Sequence, residues 1–144
     1  MDKNRLFKIL ARAKTCEVTE LGFIIEKKYP ISVIKKPQKV LAMIKIRESV
    51  RDSDFYLGEL LSCEAMVEIE GKKGIGVTMG DDYTKVLSMA IIDAADNAKL
   101  PEYEAKIIPA LLLLEEKQTA QIEKENGMYL KTMVNFSSMD SEAV

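Results

Sequence analysis

The chain has 144 residues, 47% hydrophobic and 31% charged, with a net charge of −2, two cysteines and no histidine. That length suits one domain with its own core, and that balance excludes wholesale disorder. Lacking histidine, the chain lacks the commonest general base and metal ligand, and no apolar run approaches the roughly 20 residues that span a bilayer.

Leu6, Ile9, Leu10 and Ala13 recur at helical spacing and predict an amphipathic helix over residues 2–14. Thr15 is positioned to cap a second helix with Val18, Leu21, Ile25 and Tyr29 on one stripe, ended by Pro30. The period then changes. Ile31 and Val33 open an extended segment, and Val40, Ala42, Ile44 and Ile46 alternate along a strand. After the polar break at residues 51–54, Leu57, Leu61, Cys63, Ala65, Val67 and Ile69 point one way, and Gly58, Ser62, Glu64, Glu68 and Glu70 the other. That pattern predicts a long half-buried strand.

Gly71-Lys72-Lys73-Gly74 reads as a hairpin turn, with Ile75, Val77 and Met79 on the returning strand. Gly80-Asp81-Asp82 supplies a turn and a helix cap. The next helix buries Val86, Leu87, Ala90, Ile91, Ala94 and Ala98, its small alanines letting it lie close to the sheet, and Leu100-Pro101 stops it. Pro109 suits the first turn of a last helix, with Leu111, Leu112 and marginally Leu114 on its buried side. From Glu115 to Asn126 only Ala120 and Ile122 are apolar, and Gly127 is expected to end the helix. Met128, Tyr129, Leu130, Met133, Val134 and Phe136 then form a sticky C-terminal segment.

The expected architecture is α+β: two N-terminal helices, an antiparallel sheet of about four strands, two C-terminal helices and an extended C-terminal arm. Residues 1–126 form the single domain and residues 127–144 the arm. Met1-Asp2-Lys3 opens no cleavable leader pattern, so a cytoplasmic setting is expected, with Cys16 and Cys63 as free thiols. Residues 1–51 carry 13 Lys/Arg against 5 Asp/Glu, and residues 52–144 carry 8 against 18. The polarity suits attraction across the fold; a basic or acidic face for a partner is the alternative.

Glu59, Glu64, Asp81 and Asp82 are the carboxylates that acid–base or cation chemistry would draw on. Glu64 on a polar strand face, and Asp81 and Asp82 at a helix start, have ordinary explanations. Glu59 does not, because alternation sets it among Leu57, Leu61 and Cys63. The glycines at 71, 74, 76 and 80 lie in a hairpin rather than between a strand and a helix. They point to a bulge or close backbone approach, not a phosphate loop. The lysines at 27, 28, 35, 36 and 39 lack interleaved aromatics beyond Tyr29, so neither nucleic acid nor membrane is an expected partner.

Phe55-Tyr56-Leu57-Gly58-Glu59, Glu64-Ala65, the run Gly71 to Gly76, Gly80-Asp81-Asp82 and Ala90-Ile91-Ile92-Asp93-Ala94-Ala95 together resemble the core of the PhnG family. Lys131-Thr132, Val134-Asn135-Phe136 and Met139-Asp140 are similar to that family's ending. The resemblance implies the G subunit of the carbon–phosphorus lyase core complex, which displaces adenine from ATP with methylphosphonate to give ribose 1-methylphosphonate 5-triphosphate. It implies partners of the I, H, J and L types and two copies in the assembly, or a homodimer. It places the nucleosidase chemistry on the I subunit.

Cys63-Glu64 stands where relatives carry Thr-Arg, Gly80-Asp81 where they carry Gly-Arg, and Met133 where a basic residue is usual. No phosphate-holding role is therefore carried over to those positions. Candidate interface or shared-site residues are Phe55, Gly58, Glu59, Gly76, Gly80, Asp81, Asp82, Val134 and Phe136. None is assigned a catalytic, cofactor-binding or metal-binding role, and no cofactor is expected. The rival readings are a stand-alone carboxylate enzyme using Glu59 with Asp81 or Asp82, and a homodimeric scaffold.

Overall fold

The computed structural model describes residues 1–134. Helix α1 spans Lys3–Arg12 and buries Leu6, Ile9 and Leu10; α2 spans Thr15–Glu26 and buries Val18, Leu21 and Ile25. Lys14, not Thr15, occupies the cap position of α2, and the Glu17 carboxylate accepts the Lys14 N–H at 2.9 Å. Thr15 is drawn elsewhere: its hydroxyl donates to Asp82. At the end of α1, the Lys85 ammonium donates to the carbonyls of Ala11 and Ala13 at 2.8 and 2.7 Å, satisfying acceptors the helix leaves free.

Three antiparallel strands follow in the order β1 (Ser32–Arg47), β2 (Asp54–Ile69) and β3 (Lys72–Met79). Among the described residues there are three strands rather than about four, because the two extended segments after α2 join into one. Pro37 sits inside β1, where the register with β2 shifts between Lys35 and Gln38. β1 is an edge strand, so a missing N–H there is tolerated. The β2–β3 turn is also tighter than the glycine spacing suggested. Ile69 pairs with Lys72, leaving Glu70 and Gly71 as a two-residue turn with φ of 49° and 75°. Two positive φ angles match the twist of a tight hairpin. Lys72, Lys73 and Gly74 are thereby already in the strand.

Helix α3 (Tyr83–Asn97) lies across the inner face of β2 and β3, and Asp82 caps it by accepting the Lys85 N–H at 3.0 Å. The contact is backbone on backbone. A Cβ at Gly76 would collide with the Val86 carbonyl and stand 2.8 Å from the Ala90 nitrogen; one at Gly74 would stand 2.6 Å from the Ala94 Cα. Cys63, Ala65, Val67 and Ile69 complete the core from β2, with Val86, Met89, Ala90, Ile92 and Ala94 from α3.

After α3 the chain forms one π-helical turn, Tyr103–Ile107, and then α4, Ile108–Leu130, with Pro109 in its first turn. Leu111 is buried and Leu114 half-buried, but Leu112 is exposed. Gly127 does not end this helix, which continues to Leu130. An exposed interior glycine costs only about 1 kcal/mol, and its neighbours Glu123, Lys124, Glu125, Met128 and Leu130 are good helix formers.

The end of α2 is fastened to the π turn by Glu102, whose carboxylate accepts Lys28 Nζ at 2.7 Å and the Tyr29 hydroxyl at 2.6 Å. These bonds hold the Glu102 carboxyl down at about 2, with Lys28 the larger cause, and push the Tyr29 phenol up to about 12. The folded state thus favours protonated Tyr29. That contribution is complete below the unfolded phenol's value of 10.0 and is lost as pH rises through about 12. Glu102 acts in the opposite sense, contributing above the ordinary carboxylate value and losing its effect as pH falls through about 2. In an ultraviolet titration, a phenol ionising near 12 should vanish in Tyr29→Phe and move toward the ordinary value in Glu102→Gln. An unchanged titration in both variants would rule out the bond as its cause.

Candidate functional site

β3 ends where Met79 pairs with Ser62, but β1 and β2 run on together. Leu41–Arg47 and Asp54–Leu61 form a two-stranded ribbon, closed by a turn in which the Glu48 N–H donates to the Ser53 carbonyl at 2.9 Å. No helix covers it. Leu41 is 64% exposed, Met43 58%, and Tyr56 and Leu57 61% each; Phe55, Ile44, Ile46 and Leu61 are also exposed. The helix-free face of the main sheet continues the patch through Ile75, Val77 and Met79. Exposed apolar surface on this scale, contiguous and two-sided, marks an interaction site.

The predicted site residues divide. Phe55, Gly58 and Glu59 lie together on the ribbon, with Gly58 opposite Ile44 and Glu59 opposite Met43. Gly80, with φ of 85°, sits at the ribbon's base, where its N–H donates to the Leu61 carbonyl at 3.0 Å. Asp81 is exposed beside it. Gly76 is buried beneath α3, where it sets helix–sheet distance. Val134 is exposed, and Phe136 lies outside the described residues.

Asp82 is fully engaged as a cap. The Thr15 hydroxyl, then the Lys85 N–H, hold its carboxyl below the ordinary range. Burial, with the charges of Asp82 and Asp81, pushes the Cys63 thiol up, which suits an inert core cysteine. Lys35 pairs with Glu64 and lowers its pKa. Glu59 has no ion-pair or hydrogen-bond partner among the described residues. No group of three or more Cys, Asp or Glu residues among them is placed to hold a metal ion.

The polarised charge is spent largely on the fold itself. Seven of the eight ion pairs among the described residues join a cation from residues 1–51 to a carboxylate from 52–144, including Lys28–Glu102, Lys45–Asp54 and Arg47–Asp52. Sequence reasoning missed one cluster. Lys3 Nζ lies 2.6 Å from both Asp93 and Asp96, and buried Asp93 also accepts the Ile75 N–H at 3.0 Å. Burial works against the Lys3 charge, but the bonds to Asp93 and Asp96 raise its pKa on balance. Nearby, burial and the Asp96 charge push the Tyr103 phenol up, and its hydroxyl meets no hydrogen-bond partner among the described residues. The signal for this cluster was Asp93 on an apolar helix face.

The projecting end of α4 adds a second apolar surface. Arg5 holds Glu115 (2.9 Å), Lys117 holds Glu17 (3.0 Å) and Gln118 donates to the Ile9 carbonyl (3.0 Å), tying the helix's first half to α1 and α2. Met128, Tyr129, Leu130 and Met133 beyond it are all exposed. No helix among the described residues is long and apolar enough to cross a membrane. The sequence model of a family described as "Phosphonate metabolism protein PhnG" matches residues 1–140. No curated protein matches the chain significantly.

Proposed function

Because the chain belongs to the PhnG family of phosphonate metabolism proteins, we propose that it is a non-catalytic subunit of the cytoplasmic complex that displaces adenine from ATP with methylphosphonate, docked through its uncovered β-ribbon. One observation carries this reading. Phe55, Tyr56, Leu57 and Leu61, on a strand paired with Leu41, Met43, Ile44 and Ile46, form a near-continuous apolar ribbon that the other described residues leave bare. Strands of that composition belong between two covering layers. Partners of the I, H, J and L types would supply those layers and the chemistry, with two copies of this chain in the assembly. Phe55, Gly58 and Glu59 are then interface residues, and Gly80 and Asp81 border them.

Residues 127–144 act in this reading as an arm. They begin in the last turn of α4, so the arm leaves the domain as exposed helix. In the test, the purified chain releases no adenine from ATP plus methylphosphonate, and mixing with the other subunits restores release. Turnover by the chain alone would overturn the accessory role. Truncation before Gly127 should leave the circular dichroism of the domain near native while weakening recovery of the complex.

A further inference from the structure

We propose that the free edge of β2 at residues 54–60 receives an extended, apolar segment of a partner subunit, with a lysine or arginine of that segment opposite Glu59. The inference rests on the subunit reading above and adds which edge is used and what meets it.

The sheet has three places where backbone groups could recruit another strand, and two are guarded. On β3, Asp93 accepts the Ile75 N–H at 3.0 Å and Asn97 donates to the Lys73 carbonyl at 2.7 Å, so α3 side chains engage the half of that edge next to the turn. On β1, Pro37 interrupts the row and exposed Lys36 and Lys39 stand along it, devices that discourage strand addition. The third is β2 beyond its last bond to the β3 side, where the Leu61 carbonyl accepts the Gly80 N–H. Residues 54–60 carry neither proline nor lysine. Groups on one side of a strand recur every second residue, so Glu59 turns its N–H and carbonyl to this open edge.

The side chains select the occupant. Phe55, Tyr56 and Leu57 offer exposed apolar contact, and Glu59 is a carboxylate beside them with no cation partner among the described residues. A second copy would not supply one. Residues 54–60 contain Asp54 and Glu59 and no Lys or Arg, so edge-to-edge pairing of two copies leaves Glu59 unmatched. A foreign strand with a basic residue meets both the backbone and the charge, the pattern of strand addition in peptide recognition.

The test uses the full chain, alone and co-expressed with the I-, H- and J-type subunits. Hydrogen exchange at the Glu59 amide, which faces the open edge, should be fast in the free chain and slow in the assembly, while the amides that face β1 are protected in both. Glu59→Lys should weaken recovery of the assembly by about tenfold or more, Glu59→Gln less, and Lys36→Glu not at all. Glu59 is exposed, so each variant is checked for an unchanged melting curve before binding is scored. An assembly that forms while the Glu59 amide still exchanges freely, or that tolerates Glu59→Lys, overturns this inference and leaves the subunit reading standing. Failure of the wild-type chain to join any of these subunits overturns both. Protection of the edge in the chain alone, growing with concentration, would make a second copy the occupant and refute the foreign strand.

Discussion

Gly76→Ala is expected to cost about 3 kcal/mol of stability, a fall in Tm on the order of 10 °C. Gly76 pairs with Ala65 in the sheet and faces α3, and an added methyl meets the Val86 carbonyl, the Ala90 nitrogen and the Met89 Cβ. Two of those three are backbone atoms of a helix, which cannot rotate away as a side chain would. The whole of α3 must lift, loosening Met89, Ala90 and Ala94 from Ala65 and Val67. Gly74→Ala should behave alike, because its methyl would strike Ala94 and Ala90. Gly58→Ala is the control: nothing lies within 4 Å of its Cβ position, so its melting curve should match or slightly exceed wild type. Equal losses at positions 58 and 76 would show that strand flexibility, not helix contact, is what the glycines provide.

Asp93→Ala is expected to lower stability by about 2–3 kcal/mol, with Asp93→Asn costing roughly half as much. The carboxylate joins three elements: Lys3 at the start of α1, the Ile75 N–H on the edge of β3, and Asn97 at the end of α3, 3.3 Å away. Alanine leaves a strand N–H without its acceptor and the Lys3 ammonium with Asp96 alone, whereas asparagine keeps one oxygen for them. Lys3 is 42% exposed on its side chain, so solvent recovers part of its loss and the figure stays well below that of a buried ion pair. A second effect follows from position. Asp93 guards the β3 edge, so the alanine variant should also show concentration-dependent association that Lys3→Ala does not. Denaturant unfolding and sizing of the three variants measure both effects. An alanine variant as stable as wild type would reduce the cluster to surface decoration.

Part of the candidate region could be picked out from residues alone. The motif around Phe55–Glu59 picked out residues that lie together on the ribbon, and Glu59 stood out as a carboxylate among apolar residues. Gly80 and Asp82 were readable as turn and cap. The sequence could not tell Gly76 from Gly58, because both are glycines within strands. Only the position of α3 makes one a packing contact and leaves the other open. The Asp93 cluster was hidden for a similar reason, since its partners lie 90 and 18 residues away.

What the sequence determined by itself are the properties with a short period: two amphipathic helices, alternating strands, the cap at Asp82, and the family to which the motifs belong. These depend on neighbours within one or two turns, so local chemistry decides them. Three other properties waited for the tertiary structure. Pro37 could break a strand or sit in one, and the edge position of β1, where no outward N–H is needed, let two segments become a single strand. Gly127 could stop a helix or lie within one, and with no αL cap formed there α4 ran on to Leu130. The long alternation of β2 predicted one buried face, yet α3 and β3 are only long enough to cover its second half. Among the described residues the first half is apolar and bare, because burial depends on what lies opposite, which is the length of other elements and not a property of the strand's own residues.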